Sequence, residues 1–150
     1  MSLKQRIETD IKSAMLAKNK DDLRALRSIK SLILLAETEK GAGGELSDDA
    51  EMKLLMKAAK QRKDSADLYE QQGRNDLLEV ERLELEVINR YLPKQLSEEE
   101  LKTEITKIIN EIGASGPQDM GKVMGLATKS LAGKADGKAI SSIAKSLLTN

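Results

Sequence analysis

The sequence predicts an all-α protein, and three observations carry that expectation. Ala, Leu, Lys and Glu dominate the 150 residues, and these are strong helix formers. Apolar residues recur at intervals of three and four almost from end to end, the period of a helix with one buried face. Ser, Asp and Gly stand where such runs begin and end, as helix caps do. The pattern resolves into an N-terminal four-helix domain over residues 1–94 and a small C-terminal three-helix domain over 95–150.

Ser2 can cap a first helix carrying Leu3, Ile7, Ile11 and Ala14 or Met15, which ends in the polar turn Lys18-Asn19-Lys20. Asp21 or Asp22 restarts the helix. Leu26, Ile29, Ile33 and Ala36 form its seam, and the run from Ser31 to Ala36 is apolar nearly all round, which predicts a central position. Arg24, Arg27 and Lys30 make a basic stripe beside that seam, read as a solvated face with acidic partners nearby. Gly41-Ala42-Gly43-Gly44 is a loop.

Ser47-Asp48-Asp49 opens a long third helix to about Gln72, with Met52, Leu55, Met56, Ala59, Ala66 and Tyr69 inward. Its charged middle, from Lys60 to Asp64, could meet phosphates or pair with acids on the first helices; pairing is the simpler reading. Gly73 ends it, and Asn75 or Asp76 caps a fourth helix with Leu77, Leu78, Val80, Leu83, Val87, Ile88 and Tyr91 inward. Glu79, Glu81, Glu84 and Glu86 read as solvated surface.

Pro93 stops the fourth helix and begins a short connector to Leu96. Ser97 and Glu100 form a capping box for the fifth, whose stripe is Leu101, Ile105, Ile108, Ile109 and Ile112, closed by Gly113. The next helix starts either with Gly116 as cap and Pro117 first, or with Ser115 capping and Gln118 closing a box. Met120, Val123, Met124, Ala127 and Leu131 face its core, and Gly133 ends it. Asp136 can cap the last helix, striped by Ile140, Ile143, Ala144, Leu147 and Leu148.

Composition excludes much chemistry. There is no cysteine and no histidine, so thiolate sites, disulfides and the usual neutral-pH base are gone. No cofactor, no metal site and no catalytic residue is expected. The only aromatic residues are Tyr69 and Tyr91, too few for a base-stacking platform. Lys plus Arg equals Asp plus Glu, at 25 each, so any attraction for anions must be local. It is local after Gly113, where five Lys face two Asp. Lys122 and Lys129 lie seven apart on one helix, as do Lys138 and Lys145 on the next, with Lys134 in the joint. Gly121 and Gly125, four apart, leave a smooth strip: the usual meaning is tight helix packing, the alternative close approach of a sugar-phosphate backbone beside Lys122. The N-terminus has no apolar leader and no stretch is long enough to span a membrane, so the chain reads as soluble and cytoplasmic.

Three motifs in order, Tyr91-Leu92-Pro93-Lys94-Gln95-Leu96-Ser97, Asp119-Met120-Gly121-Lys122-Val123-Met124-Gly125 and Gly133-Lys134-Ala135-Asp136-Gly137, resemble the YqeY family. The opening residues and Lys60 to Ser65 fit it too. That domain also forms the C-terminal tail of GatB, a subunit of the glutamine-dependent tRNA amidotransferase, where the tail engages the outer corner of tRNA. The resemblance implies two helical domains and a bacterial, cytoplasmic, non-catalytic accessory module that binds tRNA or works with aminoacyl-tRNA-related enzymes. The family's association with carbon–nitrogen ligation using glutamine is read as belonging to the larger enzyme, whose cradle this chain lacks. Lys122, Lys129, Lys134 and Lys138 become candidate phosphate contacts, with Gly121 and Gly125 shaping the surface. A protein-interaction module without RNA is the alternative.

Overall fold

The computed structural model describes residues 1–39 and 44–149; Gly41, Ala42 and Gly43 of the expected loop lie outside them. Seven α-helices and no strand occur among the described residues: α1 (Leu3–Leu16), α2 (Lys20–Glu39), α3 (Asp48–Gln71), α4 (Asn75–Asn89), α5 (Glu98–Ile112), α6 (Met120–Ser130) and α7 (Gly137–Thr149). They separate into two compact units, Met1–Leu92 and Pro93–Asn150.

In the first unit α1 packs on α2, α2 on α4, and α3 and α4 form a helical hairpin. Ile7, Ile29, Ile33, Leu55, Val87 and Ile88 lie at its centre, and burying each such side chain is worth about 1.5–3 kcal/mol. Ser2 and Gln5 form a full capping box on α1. A further free amide of that first turn, Leu3 N–H, donates to Glu51 Oε2 at 2.8 Å, which explains why a buried carboxylate is tolerated on α3. Ser47 caps α3. Tyr91 and Leu92 pack into this unit's core.

Several local expectations change. The cap of α2 is Asn19, whose Oδ1 accepts from Asp22 N–H at 3.1 Å. Asp21 and Asp22 instead sit in the first turn, where the helix dipole favours acids. No side chain caps α4, which starts after Arg74. Met15 is exposed. Leu34 and Leu35, in the run that is apolar nearly all round and predicted a central helix, are 41% and 57% exposed, because the seam of α2 is satisfied by Ala25, Leu26, Ile29 and Ile33. On α3 the burial shifts to Leu55, Ala58 and Ala59; Ala66 and Tyr69 are only half-buried.

Charge placement also departs from expectation. Glu84 is buried, not solvated. Its Oε2 lies 3.0 Å from Arg62 Nη1, which also reaches Glu81 at 3.2 Å, and its Oε1 lies 3.7 Å from Arg24 Nε. The basic segment of α3 is therefore tied by Arg62 to α4, rather than to acids on the first helices. The stripe on α2 does have the acidic partners expected of it: Arg24 pairs with Asp21 and Glu84, and Lys30 with Glu8 of α1.

In the second unit α5, α6 and α7 enclose Leu101, Ile105, Val123, Ala127, Ile140 and Ala144, and every stripe residue named from the sequence is buried or packed against that core. Ser97 and Glu100 form the capping box of α5, and Gly113 ends it at φ 67°, a conformation open chiefly to glycine. Gly116 precedes Pro117, as in the first of the two starts considered, but the opening turn Pro117–Asp119 is a 3₁₀ turn that leads into α6. Asp136 Oδ1 accepts from Ala139 N–H at 2.7 Å and caps α7.

Candidate interaction surface of the C-terminal unit

The connector after Pro93 and the joint between α6 and α7 hold each other. Leu96 N–H donates to Lys134 O at 2.9 Å. The Gln95 side-chain amide donates to Gly133 O at 2.6 Å and to Pro93 O at 2.9 Å. Gly133 takes φ 77°, which presents its carbonyl to Gln95 without the strain a side chain would add. The Leu-Pro-Lys-Gln-Leu and Gly-Lys-Ala-Asp-Gly motifs thus form one structural clasp.

That clasp leaves the lysines outside. Lys122 and Lys129 on α6, Lys134 in the joint, and Lys138 and Lys145 on α7 are all exposed. No carboxylate among the described residues pairs with any of them within 4.0 Å. The cause is local. After Gly113 the only acids are Asp119 and Asp136, and both are engaged with backbone: Asp119 Oδ2 accepts from Ser115 N–H at 3.0 Å, Asp136 from Ala139. The excess of three positive charges read from the sequence is therefore uncompensated by ion pairs. In α5 and the connector the balance differs, since Lys107 pairs with Glu104 and Lys94 with Glu100.

Gly121 and Gly125 are exposed on α6, and a Cβ built on either meets no atom within 4 Å. The strip packs against none of the described residues, which corrects the usual meaning of that spacing. Leu126, 42% exposed, adjoins it, and Thr128 bonds back to Met124 O at 2.7 Å, its hydroxyl spent on its own helix. The outer face of α6 is thus bare backbone, one exposed leucine and two free ammonium groups. Leu126 was not singled out from the sequence, although it falls off the apolar stripe and could have been.

A second cluster, in the first unit, was not legible in the sequence. The Tyr91 hydroxyl donates to Asp10 Oδ2, and the Arg6 guanidinium stands over the Tyr91 ring, 5.1 Å from its centre. Arg90 reaches Asp22 at 2.8 Å. Burial first, and the bond to Asp10 second, push the Tyr91 phenol far above its ordinary range. The Asp22 bond raises Arg90. Tyr91 and Asp10 are 81 positions apart, beyond the reach of any periodicity argument. No group of three or more carboxylates among the described residues is placed to hold a metal. No described helix is long and apolar enough to cross a membrane.

Fold and surface together define a two-unit, all-helical protein whose C-terminal unit displays unpaired lysines around a glycine strip. The chain belongs to the YqeY family: the family profile described as Yqey-like protein matches residues 4–148. Curated relatives include three fungal proteins, each named "Altered inheritance of mitochondria protein 41, mitochondrial". The one from Clavispora lusitaniae is 40% identical over 111 residues, covering 73% of this chain and 64% of the relative. That from Lachancea thermotolerans is 35% identical over 115 residues, 74% and 60% of the two chains. That from Pyrenophora tritici-repentis is 32% identical over 132 residues, 87% and 71%. The chain thus spans somewhat less than two thirds of the first two relatives. These findings correct the functional expectation. The relatives bear a mitochondrial name and not that of an amidotransferase tail, so the tRNA-amidotransferase accessory role, the carbon–nitrogen ligase association and the bacterial, cytoplasmic placement do not stand.

Proposed function

We propose that the chain is a protein-docking module in which the outer face of α6 receives an acidic amphipathic helix of a partner protein. The observation that carries this reading is the open space above Gly121 and Gly125, where an added Cβ would meet nothing. Without side chains there, a partner helix can approach α6 more closely than the 8–10 Å usual between helix axes. Lys122 and Lys129, unpaired beside the strip, supply charge complementarity for carboxylates, which sets orientation and association rate. Leu126 offers a small apolar anchor. Lys134 and Lys138 extend the basic rim beyond α6. In this reading the two compact units are separate domains, four helices then three, and the N-terminal one carries a different surface. The relatives' name makes the mitochondrion the compartment in which to seek the partner.

A photo-crosslinking side chain in place of Leu126 tests this, with the same substitution at exposed Leu68 of α3 as control. The expected result is a discrete protein adduct from position 126 alone, mapped to an acidic helical segment and lost on Gly125→Leu and on Lys122→Glu with Lys129→Glu. Equal adducts from both positions, or an adduct indifferent to those changes, would sink the reading.

A further inference from the structure

The Arg6–Asp10–Tyr91 cluster lines a cleft of about 370 Å³ between α1, the α1–α2 turn, the first turns of α2 and the residues after α4, with buried Ala14 and Leu26 also in its lining. It lies wholly within Met1–Leu92 and uses none of the lysines of the docking face. Its volume falls in the range of small-molecule sites, about 300–1,000 Å³.

Its charges are arranged in two different ways. Arg90 and Asp22 satisfy each other through two contacts, at 2.8 and 3.4 Å. Arg6 and Asp10 do not pair, although they stand one helical turn apart on α1. Asp10 is turned to the Tyr91 hydroxyl through one oxygen, and Arg6 is held over the ring of the same tyrosine. Tyr91 thus engages an anion through its hydroxyl and a cation over its ring. Among the described residues, no carboxylate pairs with the Arg6 guanidinium and no donor reaches the second oxygen of Asp10. The two cations and two carboxylates of the cleft cancel, which gives a simple anion or cation no net attraction. A molecule carrying both charges is favoured by both ends at once. Charge-assisted hydrogen bonds from a guanidinium and to a carboxylate are the strong kind, and the carboxylate is already oriented by the Tyr91 hydroxyl before a ligand arrives.

We infer that this cleft binds a small zwitterion of the α-amino-acid type, its carboxylate on Arg6 and its ammonium on Asp10. Tyr91 engages both receptors, and the residues named are binding residues with no chemistry assigned to them.

The test uses the full chain, uniformly labelled with nitrogen-15. Glycine, L-alanine, L-serine and L-leucine are titrated separately to about 10 mM, the range in which a few charge-assisted contacts give measurable occupancy. N-acetylalanine, which keeps only the carboxylate, and alaninamide, which keeps only the ammonium, serve as half-ligands. Saturable shifts of the Arg6 side-chain Nε–H and the Asp10 and Tyr91 amides are expected with at least one amino acid. Affinity should fall about tenfold or more for either half-ligand and for Arg6→Met or Asp10→Asn, in keeping with loss of a charge-assisted contact. Arg6 is exposed, so Arg6→Met decides the matter should Asp10→Asn fail to fold. Shifts with none of the four amino acids, equal response to N-acetylalanine or alaninamide, or binding unchanged by Arg6→Met would overturn the assignment.

Discussion

Replacing Gly121 and Gly125 together by alanine should make the protein more stable and its docking face worse. Both glycines lie in α6, and neither is among those with positive φ, so alanine meets no backbone strain. A Cβ at each position meets nothing, so it meets no clash either. What remains is helix propensity. Alanine is favoured over glycine by about 1 kcal/mol in a helix interior. Gly125 sits mid-helix and takes the full value; Gly121 is the second residue of α6 and takes about half. The sum is about 1.5 kcal/mol, roughly a tenfold shift of the folding equilibrium. Urea unfolding of the full chain followed by far-ultraviolet circular dichroism reads it directly. Destabilisation would refute the reasoning, since it would mean the strip is packed. Stabilisation with the position-126 crosslink undiminished would refute the claim that the bare strip exists for close approach. The expected pair of results, greater stability with weaker docking, identifies the glycines as a cost to the fold retained for a partner.

Arg62→Met should cost about 3 kcal/mol, because buried Glu84 would keep only the longer contact to Arg24; adding Glu84→Met should recover most of it, and a loss below about 1 kcal/mol for the single change in urea unfolding would show Glu84 to be hydrated. Lys18 holds φ 56° at the end of α1, a left-handed conformation that penalises side chains, so Lys18→Gly should gain about 0.5–1 kcal/mol, with destabilisation the contrary outcome. Glu100 is held below its ordinary pKa, first by the Ser97 backbone amide, then by the Ser97 hydroxyl and by Lys94. A depressed folded-state pKa stabilises above the unfolded value and is lost as pH falls through the folded one. The stability difference between the native chain and Glu100→Gln should therefore be present at neutral pH and close below about pH 4; a gap that persists into acid would argue against the capping box as its source.

What the sequence could reveal was what is decided locally. Ser2, Ser47, Ser97, Gly113 and Asp136 act within three or four residues of themselves, and the stripes of α5, α6 and α7 need only a 3.6-residue period. What it hid was decided by partners far along the chain. Glu84 looks like its solvated neighbours until Arg62, 22 positions earlier, and Arg24, 60 earlier, are brought to it. Leu34 and Leu35 look buried because a dense apolar run cannot say which of its faces is already satisfied. The unpaired state of the lysines after Gly113 depended on both aspartates of that stretch being spent on backbone amides, and the sequence showed only that those aspartates were few.

The motifs that place the chain in its family divide into two kinds of residue. Pro93, Gln95, Leu96, Gly133 and Asp136 are accounted for by the clasp and the cap they build, and Met120, Val123 and Met124 by the core they enter. Folding alone explains these, so likeness at these positions carries the fold and says nothing of a task. Gly121, Lys122 and Gly125 are interleaved with the core residues of the same short run, yet they face outward. Folding alone would place alanine, glutamate or another good helix former at each glycine. A stretch in which every inward residue is explained by packing and the outward glycines oppose helix propensity is where the fold and the function pull apart. Restoring propensity there, while leaving the inward residues untouched, separates the two demands in a single protein.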